Sequence, residues 1–304
     1  MIGRAWTIAF LRGGHDVRLW DGDQQAAVHL RDTLAVTLDE LRAHDLLQED
    51  TQSLLSRLTL CETIEQAVAD AHHAQENTSE AIDSKREIFA RLDTAASPHT
   101  VLASSTSGLL PSAIFEGLEN SARCLIAHPI NPPFLVPAVE IVPGPNTGAA
   151  FVHQTANLLS SLGQAPIVMK KEIDGFLMNR LQGALLDEAF RLVSEGYASA
   201  EDVDIGIRDG LALRWAFMGP FETIDLNAPA GVRDYVERYG QMYRQISNAL
   251  TQETDWAGPV LEEVEADRRA RLAIADLPER QSWRDRRLMA LVQHKAKANK
   301  DHGT

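Results

Sequence analysis

The chain has 304 residues and is 44% hydrophobic, which predicts about two domains with an ordinary buried core. Its formal net charge of −14 argues against nucleic acid as a partner, because phosphate binding requires clustered Lys and Arg. The two cysteines lack the spacing of a disulfide framework or metal site, and no apolar run approaches the roughly 18 residues that cross a bilayer. We therefore expect a cytoplasmic protein with no metal and no membrane partner.

Short β-rich runs alternate with amphipathic stretches between Gly3 and about Lys170. This alternation is typical of a parallel α/β sheet. The predicted strands are Val17–Trp20, Leu58–Cys61, His73–Gln75, Val101–Ser104, Cys124–Ala127, Val139–Val142 and Ile167–Met169. The predicted helices between them lie around Gln24–Leu46, Ile64–Ala69, Ile82–Leu92 and Thr147–Leu162.

The β pattern stops after Lys171, and helical patterns continue to the end of the chain. Asp174 predicts the N-cap of a long helix, which ends where Gly196 supplies a left-handed residue. Ser199 and Asp202 predict a second capped helix start. The last segment, residues 279–300, is predicted to be a charged helix with a solvated face.

These patterns together predict an α/β fold with two domains. Residues 1–172 are expected to form a Rossmann-like, nucleotide-type domain around a parallel sheet. Residues 173–304 are expected to form an all-helical domain.

The N-terminal residues match the second half of a dinucleotide-binding βαβ unit. Gly3 leads into an apolar helix pattern that ends at Gly13-Gly14, and the following strand ends at Asp21. Asp21 lies 18 positions after Gly3, close to the roughly 20 expected between the glycine loop and the acidic residue that binds ribose. A carboxylate there accepts hydrogen bonds from the ribose hydroxyls and repels a 2′-phosphate, so we expect NAD rather than NADP as the cofactor.

The first strand and the first two glycines of the GxGxxG loop do not precede Gly3. We therefore expect Met1 to be an internal methionine of that loop, with the first strand of the Rossmann-type sheet missing. The helix N-terminus needs the glycine turn to let the cofactor phosphates approach its amides. A chain extended upstream by one strand and this turn is expected to bind NAD more tightly.

A histidine and a glutamate flank a proline-rich turn. His128 ends one predicted strand, the turn Pro129–Pro133 follows, and Glu140 lies in the next strand. A carboxylate on one imidazole nitrogen fixes the tautomer and leaves the other nitrogen able to accept a proton. Because alcohol oxidation requires such an acceptor, we predict that His128 is the general base and that Glu140 holds it. The alternative is a structural histidine paired with a structural glutamate.

Two further segments carry polar side chains in suggestive positions. The run Ser104–Gly108 follows a predicted strand, where open α/β sheets bind ligands. Asn179 lies near the start of an otherwise apolar helix, where an amide needs a hydrogen-bond partner. Substrate contacts and structural hydrogen bonds between domains are both compatible with these positions.

The chain resembles the 3-hydroxyacyl-CoA dehydrogenase superfamily and, more closely, its branch of L-gulonate 3-dehydrogenases that includes lambda-crystallin. The resemblance covers essentially the whole chain. It rests on IGRAW from Ile2, QEN, SE and KREIFARLD between Gln75 and Asp93, SSTSGLLPS from Ser104, AHPINPPF from Ala127, GFLMNRLQ from Gly175, LALRWAFMGPFETIDLNA from Leu211 and QSWRDRRLMAL from Gln281. The last two segments separate this branch from the acyl-CoA enzymes.

The resemblance implies specific roles and a homodimer joined through the helical domain. The implied catalytic residues are Ser107, His128, Glu140 and Asn179. The implied NAD contacts are Gly3, Asp21, Glu80, Lys85, Ser107 and Asn131. Thr78-Ser79 before Glu80 replaces the valine-proline usual in the family, which we interpret as a change in loop stiffness.

The implied reaction is oxidation of the 3-hydroxyl of a small anionic hydroxy acid, with L-gulonate, which gives 3-dehydro-L-gulonate, as the leading substrate. Arg214 lies among apolar and aromatic residues, and its planar guanidinium suits a carboxylate. We therefore predict that Arg214 binds the substrate together with Ser107 and Asn179, or alternatively forms an inter-domain salt bridge.

Two other functions remain open at this point. A short-chain 3-hydroxyacyl-CoA dehydrogenase would need a cationic surface for the CoA phosphates, whereas residues 38–56 carry five acidic side chains. A non-catalytic, crystallin-like structural protein is the second alternative, and the intact catalytic residues argue against it.

Overall fold

A computed structural model of the chain describes residues 2–247, 256 and 259–303. The described residues form two compact units. The first unit contains residues 2–180 and 285–293, and the second contains the described residues of 181–284 and 294–303. The units are not contiguous in sequence, because part of the C-terminal helix belongs to the first one.

The first unit alternates helices and strands in chain order. The strands are β1 Val17–Leu19, β2 Leu58–Leu60, β3 His73–Glu76, β4 Val101–Ser104, β5 Cys124–Pro129, β6 Ala138–Pro143 and β7 Ala165–Val168. The helices are α1 Ile2–Arg12, α2 Gln24–Ala43, α3 Thr51–Ser56, α4 Ile64–Val68, α5 Ile82–Ala95, α6 Pro111–Ile114 and α7 Ala149–Ser161, with a 3-10 turn at Ser121–Arg123. All seven predicted strands are present, whereas α3 and α6 were not predicted.

The strands form two sheets in the described part of the chain. One sheet pairs β1 with β2, and the other has the order β3-β4-β5-β6-β7. Neighbouring strands run parallel except for β5 and β6, which are antiparallel. The predicted α/β fold with a parallel sheet is therefore confirmed, and one antiparallel pair is added by the short connection between β5 and β6.

Helix α1 is apolar on two faces and packs against two clusters. Ile8 and Leu11 are fully buried with residues of α2 and α3, and Trp6 packs against the strands β4, β5 and β6. Met289 from the C-terminal helix is also buried in the first of these clusters. Burial of such side chains contributes about 1.5 to 3 kcal/mol each, so α1 is a main element of the core.

The second unit is helical in its described part. Its helices are α8 Met178–Ser194, which begins in the first unit, α9 Ala200–Ile205, α10 Ala212–Trp215, α11 Pro220–Leu226, α12 Gly231–Ser247, α13 Pro259–Arg271 and α14 Leu277–His302. A π-helix, Gly206–Leu211, and a 3-10 turn, Ile274–Asp276, connect some of them. No helix of the described residues is both long and apolar enough to cross a membrane.

Of the two predicted ends of α8, the C-terminal end is confirmed and the N-terminal end is wrong. Gly196 has φ of 74°, and Tyr197 N–H donates to Leu192 O at 2.9 Å, which confirms the left-handed helix end. The predicted N-cap at Asp174 was wrong, because α8 begins at Met178. Glycine and phenylalanine at positions 175 and 176 have positive φ values of 73° and 49°, and this turn cannot continue a right-handed helix.

The predicted start of α9 was correct. Ser199 Oγ accepts a hydrogen bond from Asp202 N–H, and the Asp202 carboxylate accepts one from Ser199 N–H. This reciprocal capping box satisfies amides that a helix N-terminus otherwise leaves unpaired.

Candidate active site

The predicted histidine and glutamate face each other across two antiparallel strands. His128 of β5 is paired in register with Glu140 of β6, and His128 Nδ1 lies 2.6 Å from Glu140 Oε2. The Glu140 side chain is fully buried and that of His128 is 6% exposed. Such a short, buried contact fixes the orientation of the imidazole ring and leaves Nε2 as the ring nitrogen that Glu140 does not engage.

The second carboxylate oxygen of Glu140 holds the start of α8. Glu140 Oε1 accepts hydrogen bonds from Leu177 N–H at 2.6 Å and Met178 N–H at 2.8 Å. Burial raises the pKa of this carboxyl group, but the hydrogen bonds from His128, Met178 and Leu177 outweigh burial and leave the pKa below its ordinary value. Glu140 therefore stays ionised at neutral pH and links the histidine to the helix that carries Asn179.

Phe176 completes the surroundings of the histidine. Its side chain is fully buried, and its ring centroid lies 5.6 Å from that of His128. A positive φ is unfavourable for a residue with a bulky side chain. The hydrogen bonds from the next two amides to Glu140 stabilise the turn in which this conformation occurs.

The backbone of Ser107 is held from both sides. Ser107 N–H donates to Glu80 Oε1 at 2.9 Å, and Ser107 O accepts a hydrogen bond from Asn179 Nδ2 at 2.6 Å. Ser107 is exposed, and the structure shows no partner for its Oγ among the described residues. The arrangement fixes the main chain of Ser107 and leaves its side chain exposed.

A continuous set of contacts therefore connects the four predicted catalytic residues. His128 contacts Glu140, Glu140 holds the first amides of α8, and Asn179 in the next position holds Ser107. The sequence predicted each residue separately. The connection through the amides before Asn179 was not predicted.

The predicted cofactor contacts Gly3, Asp21 and Asn131 lie in three separate parts of the first unit. Gly3 is in the first turn of α1, where an added Cβ atom would lie 3.5 Å from the side chain of Asn77. Asp21 follows β1 and accepts a hydrogen bond from Asp23 N–H at 2.9 Å. Asn131 is exposed in the turn between β5 and β6.

These residues fit NAD in the chemistry that the cofactor needs. The first turn of α1 contains no acidic side chain, so no carboxylate of that turn opposes a pyrophosphate at the positive end of the helix. Asp21 follows β1, where a carboxylate binds ribose hydroxyls in parallel α/β sheets.

Glu80 and Lys85 are placed differently from the other predicted cofactor contacts. Glu80 is about half exposed, whereas Lys85 is 1% exposed and lies within 3.1 Å of Glu76. Burial raises the pKa of Glu80, but hydrogen bonds from Thr106 and Ser107 and the charge of Lys85 outweigh burial and lower the pKa below its ordinary value. Glu76 was not predicted from the sequence; its only signal was an acidic residue directly after the predicted strand His73–Gln75.

Arg214, the predicted carboxylate ligand, belongs to α10 of the second unit. It is half-buried and makes no hydrogen bond or ion pair within the described residues. The pKa of the Tyr235 phenol lies above its ordinary value, because the hydrogen bond with Tyr243 raises it. The positive charge of Arg214 acts on the same phenol and lowers its pKa. A half-buried guanidinium that has no carboxylate partner in the described part of the chain is suited to an anionic ligand.

Comparison with known families gives matches to both parts of the chain. Residues 1–173 match the 3-hydroxyacyl-CoA dehydrogenase, NAD binding domain. Residues 175–258 match the 3-hydroxyacyl-CoA dehydrogenase, C-terminal domain. The family matches therefore cover most of the chain.

Individual relatives extend over nearly the whole length. The lambda-crystallin homolog of Mus musculus is 39% identical over 297 residues, which cover 96% of this chain and 92% of that protein. An L-carnitine dehydrogenase of a Pseudomonas species is 34% identical over 304 residues, with coverage of 100% and 94%. The crystal structure of 5-formyl-3-hydroxy-2-methylpyridine 4-carboxylic acid 5-dehydrogenase, an NAD+-dependent dismutase, has a TM-score of 0.81 at 26% identity and covers 95% of this chain and 94% of its own.

Proposed function

We propose a reaction for this chain from one premise: it belongs to the 3-hydroxyacyl-CoA dehydrogenase family, and its residues 1–173 match the NAD-binding domain of that family. The reaction is NAD-dependent oxidation of the 3-hydroxyl group of a small free hydroxy acid, with L-gulonate as the leading substrate. The observation that carries this proposal is the buried His128–Glu140 pair and its connection to Asn179 and Ser107.

His128 acts as the proton acceptor. Its Nδ1 is engaged by Glu140 at 2.6 Å, so the proton on Nδ1 is retained and Nε2 accepts the proton of the substrate hydroxyl group. The negative charge of Glu140 stabilises the imidazolium ion that results. General acid–base catalysis of this kind contributes about 10²- to 10⁴-fold to the rate.

Ser107 and Asn179 orient the substrate. The Ser107 hydroxyl group donates a hydrogen bond to the substrate oxygen that becomes the carbonyl oxygen. Asn179 acts on the same region, because its amide fixes the Ser107 backbone. A positioned donor of this type favours the reacting geometry by lowering the freedom of the substrate.

Bound NAD would supply the hydride acceptor for this oxidation. Gly3 and the amides of the first turn of α1 would hold its pyrophosphate, Asp21 would hold the adenine ribose, and Asn131 would contribute a further contact. These assignments follow the positions of the residues around the first unit and the chemistry of each group.

Arg214 binds the substrate carboxylate, and this assignment favours a free acid over a CoA thioester. Arg57, one of two arginines near the segment where CoA phosphates would need cations, is bound to Glu49 at 2.8 Å. A free hydroxy acid also agrees with the relatives, since L-carnitine is a 3-hydroxy acid that carries its own carboxylate.

The second unit joins two copies of the chain into a homodimer. One face of α12 carries five exposed apolar or aromatic side chains at helical spacing: Val232, Val236, Tyr239, Tyr243 and Ile246. A contiguous exposed stripe of this kind is typical of a protein interface. Light scattering of the wild-type chain and of Val236→Lys tests the dimer, and we expect the variant to be monomeric.

The activity is tested by following NADH absorbance with a panel of substrates. The panel contains L-gulonate, L-carnitine, 3-hydroxybutyrate and 3-hydroxybutyryl-CoA, and His128→Gln is measured beside the wild-type chain. We expect turnover with at least one free acid and a loss of at least about a hundredfold in the variant. Activity confined to the CoA thioester would contradict the proposed substrate class.

A further inference from the structure

Three charged side chains form a cluster at the carboxyl ends of β3 and β4. Lys85 Nζ lies 3.1 Å from Glu76 Oε1, and 3.7 Å from Glu80 Oε2. The side chains of Glu76 and Lys85 are each 1% exposed, whereas that of Glu80 is 47% exposed. We refer to Glu76, Lys85 and Glu80 as the acid–lysine cluster.

Glu76 connects the loops that follow the two strands. Its carboxylate accepts hydrogen bonds from Ser104 Oγ at 2.5 Å and from Thr78 Oγ1 at 2.6 Å. Both oxygens also accept from Lys85 Nζ at 3.1 Å. Glu76 therefore holds the loop after β3, the end of β4 and the buried ammonium group together.

Glu80 divides its two oxygens between the lysine and the loop of Ser107. Its Oε1 accepts hydrogen bonds from Thr106 Oγ1, from Ser107 N–H at 2.9 Å and from Gly108 N–H at 3.2 Å. Its Oε2 is the oxygen near Lys85. Two carboxylates therefore lie near Lys85, and only Glu80 also holds the loop of Ser107.

We propose that Glu76 is a positioning residue for Ser107, acting through Lys85 and Glu80. A buried ammonium group without a carboxylate partner is strongly unfavourable. When the Glu76 charge is lost, Glu80 is the remaining carboxylate near Lys85. The attraction of the ammonium group then draws the Glu80 side chain away from the Ser107 and Gly108 amides. The importance of this effect for turnover rests on the proposed function, but the effect on the loop does not.

The first test is amide hydrogen exchange of residues 104–109, measured by mass spectrometry without any substrate. In Glu76→Gln we expect exchange of these amides to be faster by at least about fivefold, because Glu80 no longer protects them. In the double variant Glu76→Gln with Lys85→Met we expect the exchange rate to return toward that of the wild-type chain. Removal of the unpaired ammonium group leaves Glu80 with the loop as its partner.

A matched control is available at the opposite end of α5. Asp93 forms the other buried ion pair of this helix, with Arg123 Nη2 at 2.9 Å and side-chain exposures of 9% and 2%. Asp93→Asn is expected to lower the melting temperature while exchange of residues 104–109 stays unchanged. The control separates general destabilisation from a specific effect on the loop.

The second test is kinetic. We expect Glu76→Gln to lower kcat by at least about tenfold, the scale of a slightly misplaced reacting group. If Glu76→Gln does not fold, Glu76→Asp replaces it, because the shorter side chain keeps the charge but weakens the contact with Lys85; faster loop exchange is expected there as well.

Unchanged loop exchange in these variants, or a double variant no better than Glu76→Gln in exchange, overturns the proposal. A wild-type chain without turnover on any hydroxy acid contradicts the proposed function instead, and the exchange measurements still decide the role of Glu76.

Discussion

Replacement of Glu140 by glutamine exchanges one carboxylate oxygen for an NH2 group and is expected to reverse the tautomer of His128. The remaining oxygen of the new side chain must face the amides of Leu177 and Met178, which donate to Glu140 Oε1 at 2.6 and 2.8 Å, because an NH2 group there would oppose two donors. The NH2 group then faces His128 Nδ1, which lies 2.6 Å from Glu140 Oε2. Nδ1 must accept this hydrogen bond, so the ring proton moves to Nε2.

The size of the effect follows from the role that is lost. With a proton on Nε2, the imidazole cannot accept the proton of the substrate hydroxyl group. Removal of general base catalysis lowers kcat by about 10²- to 10⁴-fold, which corresponds to about 3 to 5 kcal/mol in the activation barrier. The amides of α8 also lose a charged acceptor, so we expect a further loss of about 1 to 2 kcal/mol in the free energy of unfolding.

Steady-state kinetics and urea unfolding of Glu140→Gln measure both effects. Glu172→Gln serves as a control, because Glu172 also accepts a hydrogen bond from a backbone amide, that of Ser112 at 2.8 Å, but does not contact His128. We expect the control to keep its kcat. A folded Glu140→Gln with kcat within about threefold of wild type would refute the assigned tautomer and the assigned base.

Two further predictions concern the substrate and the stability. Arg214→Met is expected to raise the KM for a free hydroxy acid at least about tenfold and to spare an ester analogue; steady-state kinetics check this, and an equal loss for both substrates indicates a structural arginine. Burial lowers the pKa of His73 from 6.5 to about 4. Between about pH 6.5 and about pH 4, His73 therefore binds a proton in the unfolded chain but not in the folded chain. The free energy of unfolding is therefore expected to drop by up to about 2 kcal/mol between about pH 7 and about pH 5. Urea titrations of wild type and His73→Gln at both pH values measure this, and an equal pH dependence in both contradicts it.

The sequence predicted the strands and the two central site residues because their signals are local. The strand that ends at His128 and the strand that carries Glu140 each form a short apolar run, and the turn between them contains prolines. A short connection between two such strands favours antiparallel pairing, which places the two side chains in register. The left-handed helix end at Gly196 was also predicted from a single local preference.

The start of α8 could not be predicted in the same way. Asp174 has the residue type of an N-cap, but the helix begins four positions later, at Met178. The amides there are capped by Glu140, which lies 37 and 38 positions away from its two partners. A capping group so distant in sequence has no local signal.

The acid–lysine cluster was missed for a related reason. Glu80 and Lys85 were identified through the resemblance to a family, which suggested contacts with the cofactor. The role of Glu76 depends on the pairing of β3 with β4, because its hydrogen bond with Ser104 joins residues 28 positions apart. Local patterns predict which residues are polar, but the partner of each polar group depends on the sheet.

The most direct test of the proposed function is turnover of the substrate panel by the wild-type chain and by His128→Gln, at equal concentrations and with NAD as the oxidant. We predict NADH formation with a free 3-hydroxy acid, a loss of at least about a hundredfold in His128→Gln, and similar NAD binding by both proteins in a calorimetric titration. Full turnover in His128→Gln, or the absence of turnover with every free acid by a wild-type chain that binds NAD, would contradict the proposed function.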